Sequence, residues 1–251
     1  MSMRSPLAQY ITVTLSYWAF TLTDGALRML VLLFFHNLGY SPIEIASLFL
    51  LYEFFGVVTN LYGGWLGSRF GLTLTMQLGL GLQIFALALL LADPSVLTVV
   101  YVMISQAISG IAKDLNKMAA KSSIKTLMAD GEQGKLYRWV AMLTGSKNAL
   151  KGMGYFLGGA LLATVGFQGS IAALLSLLLV ALVMGIWLLE YQPGSNKGSF
   201  SQSLSPSAGV NRLSAARLFL FCARDVWFVV ALPVFLQSQL GWSPVQVGSL
   251  M

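Results

Sequence analysis

LGYSPIEIASL, residues 38–48, returns near the other end of the chain as LGWSPVQVGSL, residues 240–250. In both places the string follows an apolar stretch with charged residues near its middle: Asp24 and Arg28 before the first copy, Arg224 and Asp225 before the second. A parallel repeat of this kind implies two related bundles of membrane helices joined in tandem. The first copy runs on into FLLYEFFGVVTN, whereas the second ends at Met251. The expected fold is therefore an all-α polytopic membrane protein. It would hold an N-terminal six-helix bundle plus the start of a second bundle, with the chain truncated inside the repeat.

Composition agrees. The 251 residues are 57% hydrophobic and 10% charged, with a mean hydropathy of +0.76. A soluble domain carries about 25% charged residues, so the bilayer is the solvent this chain is built for. The formal net charge is +6. With no basic low-complexity tail and no soluble domain to hold one, that charge does not indicate a nucleic-acid partner. Cys222 and His36 are single examples of their kind, which leaves no disulfide framework, Cys- or His-based metal cluster, or His-centred triad. No metal, cofactor or enzymatic activity is expected.

Apolar runs of about 20 residues, enough to cross a bilayer as helix, fall at 10–35, 43–66, 73–92, 96–118, 137–163, 169–190 and 213–237. The Ser-, Gly- and Pro-rich segment at 191–212 reads as a cytoplasmic linker. It separates a first transmembrane half, 1–190, from the start of a second, 213–251. Loops near 36–42, 93–95, 164–168 and 238–243 contain no Lys or Arg. The alternate ones hold Arg4, Arg69, Lys121, Lys125, Lys135, Lys197 and Arg212. Positive charge stays inside, so the N-terminus is expected in the cytoplasm.

Charges within spans are costly and point to function. Five cations, Arg28, Lys113, Lys147, Lys151 and Arg224, stand against four anions, Asp24, Glu53, Asp114 and Asp225. Asp24 and Arg28 are four apart on one helix and can pair. Lys147 and Lys151 have no acidic partner on their own span and lie roughly 15–22 Å from its inner end, too deep for easy snorkelling. Lys113, Lys117, Lys121 and Lys125 recur every fourth residue and form one stripe. Lys113 would lie near the inner end of the fourth span. The stripe is either a headgroup-facing orientation signal or the mouth of a basic cavity ending at Lys147 and Lys151. Such a funnel would concentrate anions and offer them charge-assisted hydrogen bonds. The expected substrate-binding residues are Arg28, Lys113, Lys117, Lys147, Asn148, Lys151 and Arg224. Asp24, Glu53 and Asp225 are candidates for proton coupling.

Gly145, Gly152, Gly154, Gly158 and Gly159 on the fifth span suit close helix packing. GGWLGSRFGL, 63–72, resembles the loop signature of the major facilitator superfamily at Gly64, Leu66, Arg69 and Gly71. Ser68 stands where that pattern has an acid. YWAFTLTDGALRMLVLLFF, LFLLYEFFGVVTNLYGGW, SGIAKDLNKMAAKSSIK and LTGSKNALKG, at 17–35, 48–65, 109–125 and 143–152, resemble the organoarsenical efflux permeases of that superfamily, the ArsJ type. The resemblance implies a major facilitator fold of twelve helices in a bacterial cytoplasmic membrane. It implies export of 1-arseno-3-phosphoglycerate, and through it arsenate resistance and a functional link to glyceraldehyde-3-phosphate dehydrogenase. Transport of another phosphorylated metabolite, a non-functional transporter fragment and a membrane scaffold are the alternatives.

The loop charges predict that a reporter fused near Pro94 is extracytoplasmic and one near Ser199 cytoplasmic. Alkaline phosphatase and fluorescent-protein fusions read this directly, and reversed activities would invert the orientation.

Overall fold

The structure is a computed structural model. It describes residues 5–127, 133–191, 193–194 and 207–251, without the side chains at 61, 133, 217, 218, 221, 222 and 224–226. Among the described residues every regular element is helical. In chain order these are α1 (Pro6–Asn37), α2 (Pro42–Leu48), α3 (Leu50–Phe70), α4 (Leu72–Leu89), α5 (Val99–Thr126), α6 (Gln133–Leu188), α7 (Ala208–Asp225), a π-helical turn (Val226–Ala231), α8 (Leu232–Leu240) and α9 (Pro244–Leu250).

Burial is inverted relative to a water-soluble protein. Thr23, Gln83, Ser105, Gln106, Ser109 and Asn116 are fully buried, whereas Leu50, Phe54, Phe85, Val100 and Trp187 are exposed. A helix surface that is apolar outward and polar inward belongs in lipid. The segments Pro6–Asn37, Pro42–Asn60, Leu72–Leu89 and Gly134–Leu188 are long and apolar enough to cross a membrane. The last of these makes two passes, because α6 breaks at Gly166, whose φ of 69° is in the left-handed region that glycine tolerates. Together with α5, these passes form a six-helix bundle.

The spans expected from the sequence correspond to helices, with three differences. The second is interrupted: a short α2 ends at Phe49 and α3 starts at Leu50. The fourth extends beyond 118 to Thr126, so the helix carries Lys121 and Lys125 as well, with Lys113 half-way along α5. The seventh contains the π-helical turn and a new α-helix from Leu232. Most of the expected linker falls outside the described residues.

The repeat has a common local structure. Ser41 and Ser243 cap α2 and α9, each in a reciprocal capping box with Glu44 or Gln246 at the third helical position. Pro42 and Pro244 occupy the helix starts, where a missing N–H costs nothing. Gly39 and Gly241 precede them with φ of 87° and 65°. One turn chemistry thus starts both helices.

Glycines set the closest helix contacts. A Cβ on Gly154 would lie 2.5 Å from the Leu22 carbonyl oxygen of α1, and one on Gly158 2.5 Å from that of Ala26. On Gly248 of α9 it would lie 2.6 Å from the Tyr155 carbonyl, and Gly159 lies against Pro244 of α9. The part of α6 before Gly166 therefore touches α1 on one side and the second repeat on the other. Gly145 and Gly152, expected to pack likewise, face open space.

This contrast generates a stability test. Gly154→Leu should destabilise the detergent-solubilised protein by about 1–3 kcal/mol, the usual cost of overpacking. Gly152→Leu should leave it nearly unchanged. Thermal unfolding followed by size-exclusion chromatography measures both, and equal shifts would contradict the packing described.

Candidate functional site

The site is built where α1, α3 and α5 meet around Tyr52. A Cβ on Gly56 of α3 would lie 2.7 Å from the Asp114 carboxylate, and Gly110 of α5 lies directly against the Tyr52 carbonyl. Two glycines facing each other's helix let α3 and α5 approach closely enough for their polar side chains to interlock.

Arg28, 3% exposed, pairs with Glu53 across the α1–α3 contact. Its guanidinium also lies 4.3 Å from the centre of the Tyr52 ring. Asp24, one turn earlier on α1, accepts a 2.5 Å hydrogen bond from the Tyr52 hydroxyl. The pairing of Asp24 with Arg28 expected from their spacing is thus replaced by two contacts to α3. The reason is geometric: α3 presents a carboxylate and a hydroxyl side by side, and an interhelical partner shields each α1 group from lipid.

Asp114, also 3% exposed, accepts hydrogen bonds from Lys117 at 3.0 Å and from the Asn60 amide at 3.1 Å. Lys113 is held differently. Its ammonium lies 3.6 Å from Glu53 and 3.8 Å from Asp114, just beyond hydrogen-bonding range, and 4.0 Å from the Tyr52 ring centre. Among the described residues it donates no hydrogen bond, so its three N–H groups remain available. The side chain is 22% exposed.

Lys147 and Lys151 lie near the middle of the α6 segment that packs on α1. Lys147 is half-buried and has no ion pair or hydrogen bond among the described residues. Its electrostatic neighbours are Lys117, Lys113, Lys121 and Asp24, so the lysine stripe of α5 acts on the charge of α6. Lys151 is half-buried, with its ammonium 5.7 Å from the Tyr155 ring centre. Asn148 is exposed. The side chains of Arg224 and Asp225 lie outside the described residues.

The structure therefore gathers Asp24, Arg28, Glu53, Lys113 and Lys117 into one cluster with Lys147 in electrostatic reach. Lys113 joins the cluster directly, beside Glu53, Asp114 and the Tyr52 ring. Sequence reasoning missed Tyr52 and Asn60 as members of the site, and counted Asp114 among the charges within spans without giving it a role. Their signal was positional: Tyr52 adjoins Glu53, and Asn60 lies two helical turns further along α3. Among the described residues, no group of three His, Cys, Asp or Glu side chains could hold a metal ion. In the 63–72 loop, Arg69 stacks against the rings of Trp65 and Phe70. Gly71, with φ of 88°, makes the turn from α3 to α4.

The fold and this charged interior define a multi-pass membrane protein with a cluster of polar and charged side chains between its helices. The sequence profile described as Major Facilitator Superfamily matches residues 11–251, and the chain belongs to that superfamily. No curated protein matches it. Solved structures share the fold. Tetrameric PepTSo2 is similar at 17% identity and a TM-score of 0.65, over 95% of this chain and 54% of that one. A bacterial homologue of the human drug peptide transporters PepT1 and PepT2 gives 17% and 0.61, over 95% and 55%. A peptide transporter POT in complex with sulfate gives 16% and 0.54, over 93% and 47%. The chain spans about half the length of these proteins.

Removing one partner of a buried ion pair costs about 3–5 kcal/mol. Glu53 is 31% exposed, which lowers the expectation for Glu53→Gln to roughly 1–3 kcal/mol after solvent screening. The double variant Arg28→Met, Glu53→Met should be less destabilised than the two single changes added together. Thermal unfolding of the four proteins measures the coupling, and strict additivity would contradict the pair.

Proposed function

We propose that the complete protein is a secondary transporter exporting an organic oxyanion, with 1-arseno-3-phosphoglycerate as its substrate. One observation carries the anionic part. Among the described residues Lys113 and Lys147 donate no hydrogen bond, Lys113 lying at ion-pair distance from Glu53 and Asp114 and Lys147 close to Lys113 and Lys117. A ligand with two negative charges would take those donors as charge-assisted bonds. The arsenical identity is supported by the resemblance of 17–35, 48–65, 109–125 and 143–152. Another phosphorylated metabolite offers the same chemistry.

In this reading Lys113 and Lys147 grip the anion from α5 and α6. Arg28, Lys117, Lys151 and Asn148 set the surrounding potential, and Arg224 joins from α7. Asp24, Glu53 and Asp225 are the groups for proton coupling. The N-terminus is cytoplasmic, so Lys121 and Lys125 lead from the cytosol towards the site. Residues 1–190 form one half, 191–212 the linker and 213–251 the start of the other half. The two halves would alternate around the bound anion. Glyceraldehyde-3-phosphate dehydrogenase would supply the substrate.

The test is arsenate resistance and efflux from inverted vesicles, with membrane abundance measured in parallel. Losing one charge-assisted contact costs about 1.5–3 kcal/mol, or roughly 10- to 150-fold in affinity. Lys147→Gln, and Lys147→Gln with Lys151→Gln, should abolish resistance while the protein stays in the membrane. Lys125→Gln, in an exposed position, should have little effect. Normal resistance in the double variant would overturn the proposal.

A further inference from the structure

Lys113 raises a physical problem for any anion site. An ammonium between two carboxylates should collapse onto one of them and donate its N–H groups there. Lys117 does so, at 3.0 Å from Asp114. Lys113 lies at ion-pair distance from both Glu53 and Asp114, 3.6 and 3.8 Å, and hydrogen-bonds to neither. We infer that Tyr52 is the positioning residue for anion binding: its ring face holds the Lys113 ammonium between the carboxylates and keeps the N–H donors free for the ligand. The inference rests on the anion-binding reading of this site.

Three features of Tyr52 support the role. Its ring is 1% exposed, and cation–π attraction strengthens when the pair is desolvated. The attraction is centred on the ring and fixes the ammonium's place without a specific N–H acceptor. The ring cannot drift, because its hydroxyl is tied to Asp24 at 2.5 Å and Gly110 packs against its backbone carbonyl. The Arg28 guanidinium, 4.3 Å from the same ring centre, approaches it as well. Tyr52 therefore spaces two cations that would otherwise compete for Glu53, and leaves the mobile one for the ligand. Lysine suits that part because its compact ammonium rotates on a flexible stem, whereas the planar arginine fork is committed to its carboxylate.

The experiment uses the full 251-residue chain in lipid nanodiscs and 3-phosphoglycerate as the probe, titrated calorimetrically near pH 7.5. Tyr52→Phe keeps the ring and should bind within about threefold of the parent. Tyr52→Leu removes the ring and should weaken binding roughly tenfold, as Lys113 falls onto Glu53 or Asp114. In the Tyr52→Leu background, Lys113→Gln should cost little more, whereas alone it should cost tenfold or above. Non-additivity with rescue by phenylalanine is a result that a merely structural tyrosine would not give. Additive losses, or equal losses in the Phe and Leu variants, would overturn the positioning role and leave the anion site standing. Absence of any binding by the parent chain would overturn both.

Discussion

The ion pair between Arg28 of α1 and Glu53 of α3 is the constraint around which the interior is arranged. A guanidinium 3% exposed in a membrane helix must have a partner, and a partner from another helix fixes how the two helices sit. With α1 and α3 locked, Tyr52 lies beside its neighbour Glu53 and reaches Asp24. Asp114 then lies across from Gly56, with Lys117 and Asn60 to satisfy it. Each carboxylate has a defined cationic or hydroxyl partner. Among the described residues Lys113 of α5 and Lys147 of α6 donate no hydrogen bond to any of them.

Lipid gives no hydrophobic drive for helices to associate, so packing and polar contacts must do it. Here the two devices are assigned to different interfaces. Between α1 and α6, Gly25, Gly154 and Gly158 bring backbones into contact. Between α1, α3 and α5, the charges do the joining, with Gly56 and Gly110 making room for them. The α6 interface carries its lysines beside the glycine seam, which explains why Lys147 reaches the middle of the bundle without an acidic partner on its own helix. The second repeat packs on the far side of the same seam through Gly159 and Gly248.

Much of the fold was legible because its signals are local. The capped Ser–Pro turns of the repeat, the apolar runs and the glycine at the 71 turn each act over a few residues. The charged positions were legible too, since an ionisable residue in an apolar run stands out. Their pairing was not, because it depends on which helix lies opposite. Spacing favoured Asp24 with Arg28, but α3 offered both of them better partners. Tyr52 was invisible for a related reason: in a chain with nine tyrosines, an aromatic residue next to a glutamate carries no signal until two cations are seen at its ring.

The central claim is that this interior is an anion site with Lys113 and Lys147 as its donors. Competitive binding against radiolabelled 3-phosphoglycerate tests it most directly, using glycerate and the zwitterionic dipeptide dialanine as competitors on the same membranes. The account predicts that unlabelled 3-phosphoglycerate displaces the label, that glycerate does so at least tenfold more weakly, and that dialanine does not displace it. Displacement by dialanine at concentrations equal to those of 3-phosphoglycerate would contradict it.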